Sequence, residues 1–314
     1  MVNHPNQNQW TQGISIENAQ WGLTHCIQSI TQSGLQACLD GGIRPDKITV
    51  VVAHGVFVSG LEWIALAAAS GAEVCIKAPK NGAQICIDFA KELDAEGLKT
   101  SVTVTHDLGS PDWIIAFGGD DTIQTLHERY PSTPIQSYGH RFSFAVVDAL
   151  HCDVQALARS VLAYDTRGCM APVACFVLNH TSDFDRLLIN ALHEDTLRYP
   201  EGVSEPYLGP ELRRRQGLAR IYGSQHKGAG FEVLNLPHRS FFPSALPRTA
   251  VVHPIEDLNT LTSVIEPWQN QISSIGWDLN DPCPFQNCRV VAVADIQRPR
   301  FPRRHDGEEM WCQA

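Results

Sequence analysis

At 314 residues, 43% of them apolar and 18% charged, the chain is long enough for two packed cores and too apolar for a disordered segment. Its formal net charge of −10 argues against nucleic acid as the main partner, because a duplex calls for the opposite excess. No apolar run approaches the roughly 20 residues of a membrane span, and the opening MVNHPNQNQW lacks the basic and apolar regions of a signal peptide.

The expected elements alternate in type. Residues 1–13 are polar and read as a flexible N-terminus, and helical patterning follows from Ile16 to Asp40 with a break at Ser33-Gly34. Residues 47–53 (KITVVVA) form a β-branched run suited to a parallel strand covered on both faces. A helix over 59–69, a strand at 73–77 (EVCIK), a helix over 83–95 and strands at 100–105 and 112–117 (DWIIAF) come next. Strands alternating with helices of this length indicate βαβ units and a parallel sheet. A helix opens at Gly118-Gly119-Asp120-Asp121, its acidic first turn matched to the macrodipole. A strand at 142–147, a helix over 154–163, a strand at 175–178 and a helix over 183–197 continue the pattern. A less regular stretch runs to about Pro247, and a last α/β portion holds strands at 249–253, 272–277 and 289–293 with a helix over 255–265.

Ten cysteines, at 26, 38, 75, 86, 152, 169, 175, 283, 288 and 312, form no CxxC pair and lie mostly in apolar segments. That scatter suits the reducing cytoplasm rather than a disulfide framework. Cys283 and Cys288 in DPCPFQNC are too widely spaced for a zinc pair and read as part of a proline-rich loop, so no metal is expected.

Three segments have the residue types for chemistry. In YDTRGCMAP, Cys169 follows a glycine and precedes Pro172 by three, a spacing compatible with the start of a helix. Amides there would favour a nucleophilic thiolate; a buried, inert cysteine in a turn is the alternative. The turn after the first strand, with His54 and Gly55, lies where α/β sheets bind ligands, although it lacks the spaced glycines of a dinucleotide fingerprint. At Gly118-Gly119 the backbone can approach a pyrophosphate, provided that Asp120 and Asp121 point away.

In order, the segments ITVVVAHGVFVSGLEWIALAAASGAEVCIKAP, IIAFGGDDTI, SYGHRFSFAVVD, DTRGCMAP and RPRFPRRHDGEEMW resemble the aldehyde dehydrogenase superfamily. The nearest branch is the bacterial bioluminescence-type, LuxC-type acyl-CoA reductases. The resemblance implies an α/β aldehyde dehydrogenase-like fold, with a parallel-sheet nicotinamide-binding domain over 14–150, a catalytic α/β domain over 151–290 and a C-terminal return over 291–314. It places the reactive cysteine at Cys169, the ribose-binding lysine at Lys77, and the cofactor loop at Gly118, Gly119 and Asp120. Lys80 stands where NAD-preferring relatives carry an acid, which favours a 2′-phosphate and hence NADPH over NADH. His305-Asp306-Gly307 matches a C-terminal element of the family.

The departures are chemical. Tyr138 or its neighbours stand where aldehyde-oxidising relatives carry a glutamate base, a loss that suits thioester reduction because water is then not activated against the acyl-enzyme. The asparagine expected to serve the oxyanion in the turn after the first strand is absent, leaving His54 or a backbone amide for that task. The expected activity is NADPH-dependent reduction of an acyl-CoA or acyl-carrier thioester to an aldehyde through a Cys169 thioester. The rivals are acyl transfer through Cys169 without reduction and a binding subunit without turnover. Self-association and an acyl-transfer partner stay open.

Overall fold

The computed structural model describes residues 11–40, 44–56, 58–80, 82–203 and 209–311. Residues 1–10 of the expected flexible N-terminus and Cys312 lie outside the described residues. Two compact units emerge: the first comprises residues 1–16, 20–140 and 299–314, the second residues 17–19 and 141–298. The division falls at His140/Arg141, ahead of a strand that pairs within the second sheet. The chain rejoins the first unit at Pro299.

The first unit is built on β1 (Lys47–Val51), β2 (Glu73–Lys77), β3 (Thr100–Thr103), β4 (Trp113–Phe117) and β5 (Ile135–Tyr138), all parallel, in the order β3-β2-β1-β4-β5. Ahead of them lie α1 (Ile16–Ser29) and α2 (Gln32–Leu39). Thr31 starts α2 by accepting the Gly34 N–H on Oγ1 at 3.1 Å, so the helical break falls at Ile30-Thr31 and not at Ser33-Gly34. The crossovers are α3 (Leu61–Ala69), α4 (Ala83–Ala95) and α5 (Asp120–Arg129). α3 is buried along almost its whole circumference, and its alanines let it lie close on the sheet. At its start Gly60 is required by close approach: a Cβ there would stand 2.8 Å from Val52 Cγ2. Glu62 in the first turn of α3 is 4% exposed and pairs with the half-buried Arg303 of the C-terminal segment. The same segment sets the His305 ring 4.2 Å from Tyr138 and the Trp311 ring 4.9 Å from Trp113. It thereby closes the sheet face around Trp63, Phe117 and Tyr138.

The second unit holds β6 (Phe142–Asp148), α6 (Val154–Leu162), β7 (Pro172–Leu178), α7 (Ser182–Arg198), α8 (Gly209–Tyr222), β8 (Ser224–Gly228), β9 (Phe231–Asn235), β10 (Thr249–Pro254), α9 (Leu258–Ile265), β11 (Ile272–Asp278) and β12 (Arg289–Val291). Its seven-stranded sheet runs β12-β11-β6-β7-β10-β9-β8, parallel except for the edge hairpin β8–β9. One face packs against α6 and α7 through Leu157, Val161, Leu188 and Leu192; the other packs Phe144, Phe176 and Ile275 against α9 through Leu261 and Ile265. The stretch expected to be irregular before Pro247 therefore contains α8, β8 and β9. Residues 281–288 form the loop that holds Cys283 and Cys288. Among the described residues no group of His, Cys, Asp or Glu is disposed to hold a metal ion, and no helix is long and apolar enough to cross a membrane.

Candidate active site

In the first unit, three of the strands end in turns that carry the residues of interest. Because all five strands are parallel, His54 (after β1), Lys77 and Lys80 (at and after β2) and Gly118, Gly119 and Asp120 (after β4) share one carboxyl edge of the sheet. The strand order reverses between β1 and β4, the position where open α/β sheets bind ligands. Lys77 is half-buried and donates from Nζ to the Ala78 carbonyl at 3.0 Å. Burial, and after it the charge of Lys80, holds its ammonium below the usual lysine value. Lys80 itself is exposed.

Gly119 caps α5, accepting on its carbonyl from Thr122 and Ile123 at 2.9 and 3.1 Å, and a Cβ at Gly119 would meet nothing within 4 Å. Asp120 is turned to the neighbouring backbone: its Oδ1 accepts the His140 N–H at 3.1 Å and lies 2.7 Å from where a Gly139 Cβ would be. One of the two carboxylates that would repel a phosphate is thereby committed elsewhere. His54 is exposed on its turn, and the adjacent Gly55 has φ +121, a conformation that side chains rarely adopt.

Gln12 is a residue that sequence reasoning missed. It is 7% exposed, and Thr11 2%, so residues 11 and 12 are not frayed. Its Oε1 accepts the Gly55 N–H at 2.8 Å, while its Cγ lies 2.5 Å from where a Gly82 Cβ would be. It thus ties the turn after β1 to the turn that leads into α4. In a polar opening segment no pattern singles it out.

Cys169 belongs to the second unit, where it is half-buried. It does not start a helix: residues 168–171 form a turn, closed by a 3.3 Å bond from the Ala171 N–H to the Gly168 carbonyl, and Pro172 is the first residue of β7. A proline is tolerated there because the first residue of a strand need not donate to the ladder. The helix-dipole argument for activating this thiol therefore falls away. Cys169 is instead set by the backbone on both sides.

On its amino side, Tyr164, Asp165 and Thr166 all adopt left-handed conformations with φ of 52°, 55° and 61° before Gly168 at 84°. Each non-glycine residue in that region costs about 1–2 kcal/mol, so the turn persists only because its surroundings impose it. Thr166 Oγ1 donates to the Val161 carbonyl at 2.8 Å and accepts the Arg248 N–H at 2.9 Å. Asp165 pairs with Arg248 at 2.9 Å, with side chains 5% and 1% exposed, and accepts the Gly202 N–H at 3.1 Å. The Tyr164 N–H donates to Asn18 Oδ1 at 3.2 Å, and Arg159 donates to the same oxygen at 2.7 Å while pairing with Asp195 at 3.0 Å. Burial raises the Asp195 carboxyl above its usual value against the pull of Arg159 and Arg248.

On the other side, the Ser143 hydroxyl donates to the Cys169 carbonyl at 2.6 Å and accepts the Ser274 N–H at 3.0 Å. Both ladders of β6 slip in register around Ser143, and its hydroxyl supplies hydrogen bonds where the regular pairing is interrupted. Tyr138 is buried against Phe117 and His305. Ser143 and Arg248 were not singled out from sequence. A lone serine in a strand, and an arginine 83 positions from its carboxylate, carry no pattern.

The family described as acyl-CoA reductase (LuxC) matches residues 100–287, a span that includes β4, the Gly118-Gly119 turn and Cys169. The long-chain acyl-protein thioester reductase 2 of Photobacterium leiognathi is 27% identical over 179 residues, 51% of this chain and 37% of that protein. The chain thus spans well under two thirds of that relative's length. The NAD-dependent aldehyde dehydrogenase of Sinorhizobium meliloti superposes with a TM-score of 0.62 at 11% identity, over 91% of this chain and 71% of that one. An NADP-dependent glyceraldehyde-3-phosphate dehydrogenase of Bacillus halodurans C-125, solved with NADP, gives a TM-score of 0.57 at 16% identity over 79% of this chain and 61% of that one. At these identities the likeness is one of fold, and the fold is that of the aldehyde dehydrogenases.

Proposed function

Since the chain belongs to the LuxC family of acyl-CoA reductases, we propose that it reduces a long-chain acyl thioester to the aldehyde, with Cys169 as the nucleophile. The observation that carries this reading is that the family match runs through the Cys169 turn, a backbone conformation maintained at a cost. The Photobacterium relative acts, by its name, on acyl-protein thioesters, which makes acyl-carrier as well as acyl-CoA substrates candidates.

In the proposed reaction the Cys169 sulfur attacks the acyl carbonyl, the carrier thiol leaves, and the acyl group rests on Cys169 as a thioester. His54 or a nearby backbone amide would stabilise the oxyanion. The edge formed by Lys77, Lys80, Gly118 and Gly119 fits a dinucleotide: two cations, an unobstructed glycine at a helix start and Asp120 turned aside. A bound NADPH would supply the hydride that takes the thioester to the aldehyde and returns the thiolate. Lys77 would hold the ribose and Lys80 the 2′-phosphate, which is the basis for NADPH over NADH. With Tyr138 or its neighbours where a carboxylate base would stand, water would not be activated against the acyl-enzyme. The cytoplasm, which keeps buried thiols such as Cys86 and Cys175 reduced, is the compartment this reading implies.

The test is to incubate the protein with palmitoyl-CoA and NADPH and follow the nicotinamide absorbance together with aldehyde release. Coupled consumption supports reduction. Acyl label on Cys169 without consumption supports acyl transfer instead, and neither signal from folded protein supports a binding subunit. Cys169→Ala is expected to abolish labelling; persistence of the label would move the nucleophile elsewhere.

A further inference from the structure

The turn before Cys169 is held by groups far away in sequence. Arg248, just ahead of β10, donates its side chain to four acceptors: Asp165 Oδ1 at 2.9 Å, Thr196 Oγ1 and the Tyr199 carbonyl at 3.0 Å each, and the Gly230 carbonyl. Arg248 is itself left-handed, with φ 46°, and its own N–H is received by Thr166 Oγ1. Strained, non-glycine backbone thus stands at both ends of one buried ion pair. A connection needed only to join α6 to β7 would relax by carrying glycine at these positions. The strain is kept in a segment whose next residues are Gly168 and Cys169. Its mirror on the carboxyl side is Ser143, which fixes the Cys169 carbonyl.

We infer that Asp165, Thr166 and Arg248 are positioning residues that aim the Cys169 turn, so that the direction of the sulfur is set by β10 as well as by the chain next to it. The inference rests on the reading of Cys169 as the nucleophile. None of the three touches the reacting atoms; they act through the backbone of residues 164–168. Misplacing a reacting group by about 1 Å costs on the order of 10²-fold in rate, so loss of this support is read at the sulfur before it is read in the fold.

The experiment measures, in the full chain, the second-order rate of iodoacetamide alkylation at Cys169 by peptide mass spectrometry, with Cys38 as an internal control, and single-turnover acylation by saturating radiolabelled palmitoyl-CoA. Thr166→Val keeps the branched shape and removes the hydroxyl. Arg248→Lys keeps the charge but cannot reach four acceptors. Asp165→Asn keeps the shape and tolerates the left-handed region. Each is expected to change the Cys169 alkylation rate and to slow acylation by about tenfold or more, with circular dichroism and Cys38 reactivity unchanged. Thr166→Ser, which restores the hydroxyl, is expected to recover acylation to within about threefold of the parent. A purely structural role predicts a lower melting temperature with parental Cys169 rates in the folded fraction, and that result overturns the inference. If Arg248→Lys does not fold, the Thr166 pair and Asp165→Asn decide it. Parental rates in those variants, with Cys169→Ala unlabelled, sink the positioning role and leave the nucleophile standing. Acyl label persisting in Cys169→Ala sinks the nucleophile while the alkylation rates still report on the turn.

Discussion

Replacing Ser143 by alanine tests whether the Cys169 turn is supported from its carboxyl side. Ser143 is fully buried, and its hydroxyl makes two bonds at a place where both β6 ladders slip in register. It donates to the Cys169 carbonyl at 2.6 Å and accepts from the Ser274 N–H at 3.0 Å. Removing a buried partner costs about 1–3 kcal/mol per group left behind, less what is regained by no longer burying the hydroxyl. The net expectation for Ser143→Ala is a loss of about 2–3 kcal/mol, since no ladder bond is in place to substitute. Two measurements read it: chemical denaturation followed by far-ultraviolet circular dichroism, and iodoacetamide alkylation of Cys169 under native conditions. Lower stability together with a changed Cys169 rate is the expected pair of results. A variant with parental stability and parental Cys169 reactivity would refute the claim that this hydroxyl completes the interrupted sheet.

Three further outcomes follow from particular contacts. His253 is fully buried among Phe176 and Phe241, and burial, the largest influence, pushes its pKa down from 6.5 to about 4. The native state therefore holds it neutral while the unfolded chain takes up a proton, so its contribution is complete above about pH 6.5 and is lost as the pH falls toward about 4. At about 1.4 kcal/mol per pKa unit the contribution is on the order of 3 kcal/mol; hydrogen exchange of the β10 amides at pH 5 and 7.5 should show a difference that shrinks in His253→Phe. Lys80→Glu is expected to weaken NADPH binding about tenfold relative to NADH, read by nicotinamide fluorescence titration; an unchanged ratio removes Lys80 from cofactor choice. Gly223→Ala would bring a Cβ to 1.9 Å from the Asn235 carbonyl oxygen, so β8 or α8 must shift, with a loss of at least about 1–3 kcal/mol in denaturation; an unperturbed melting curve would contradict that packing.

The parallel architecture was legible because β-branched runs such as KITVVVA and EVCIK, separated by segments of helical length, have few other ways to bury themselves. Elements with weaker local patterns were not. β5 reads IQSY and β8 reads SQHKG, polar strings that become strands only through pairing with β4 and β9. α8, with two glycines and three consecutive arginines, has no clean apolar stripe. The Pro172 signal was ambiguous, since proline opens helices and strands alike; partners on β6 and β10 decided for the strand.

The sequence by itself determined which residue types are available for the proposed chemistry, because side-chain types and their order along the chain are local facts: Cys169 after Gly168, Lys77 and Lys80 around the end of a strand, Gly118 and Gly119 before a helix. Only the tertiary structure decided how the cysteine is held. The bonds from Arg248 to Asp165 and from Ser143 to the Cys169 carbonyl join residues 83 and 26 positions apart. Such contacts exist only after the sheet has formed, and they impose a left-handed backbone that Tyr164, Asp165 and Thr166 would not adopt alone.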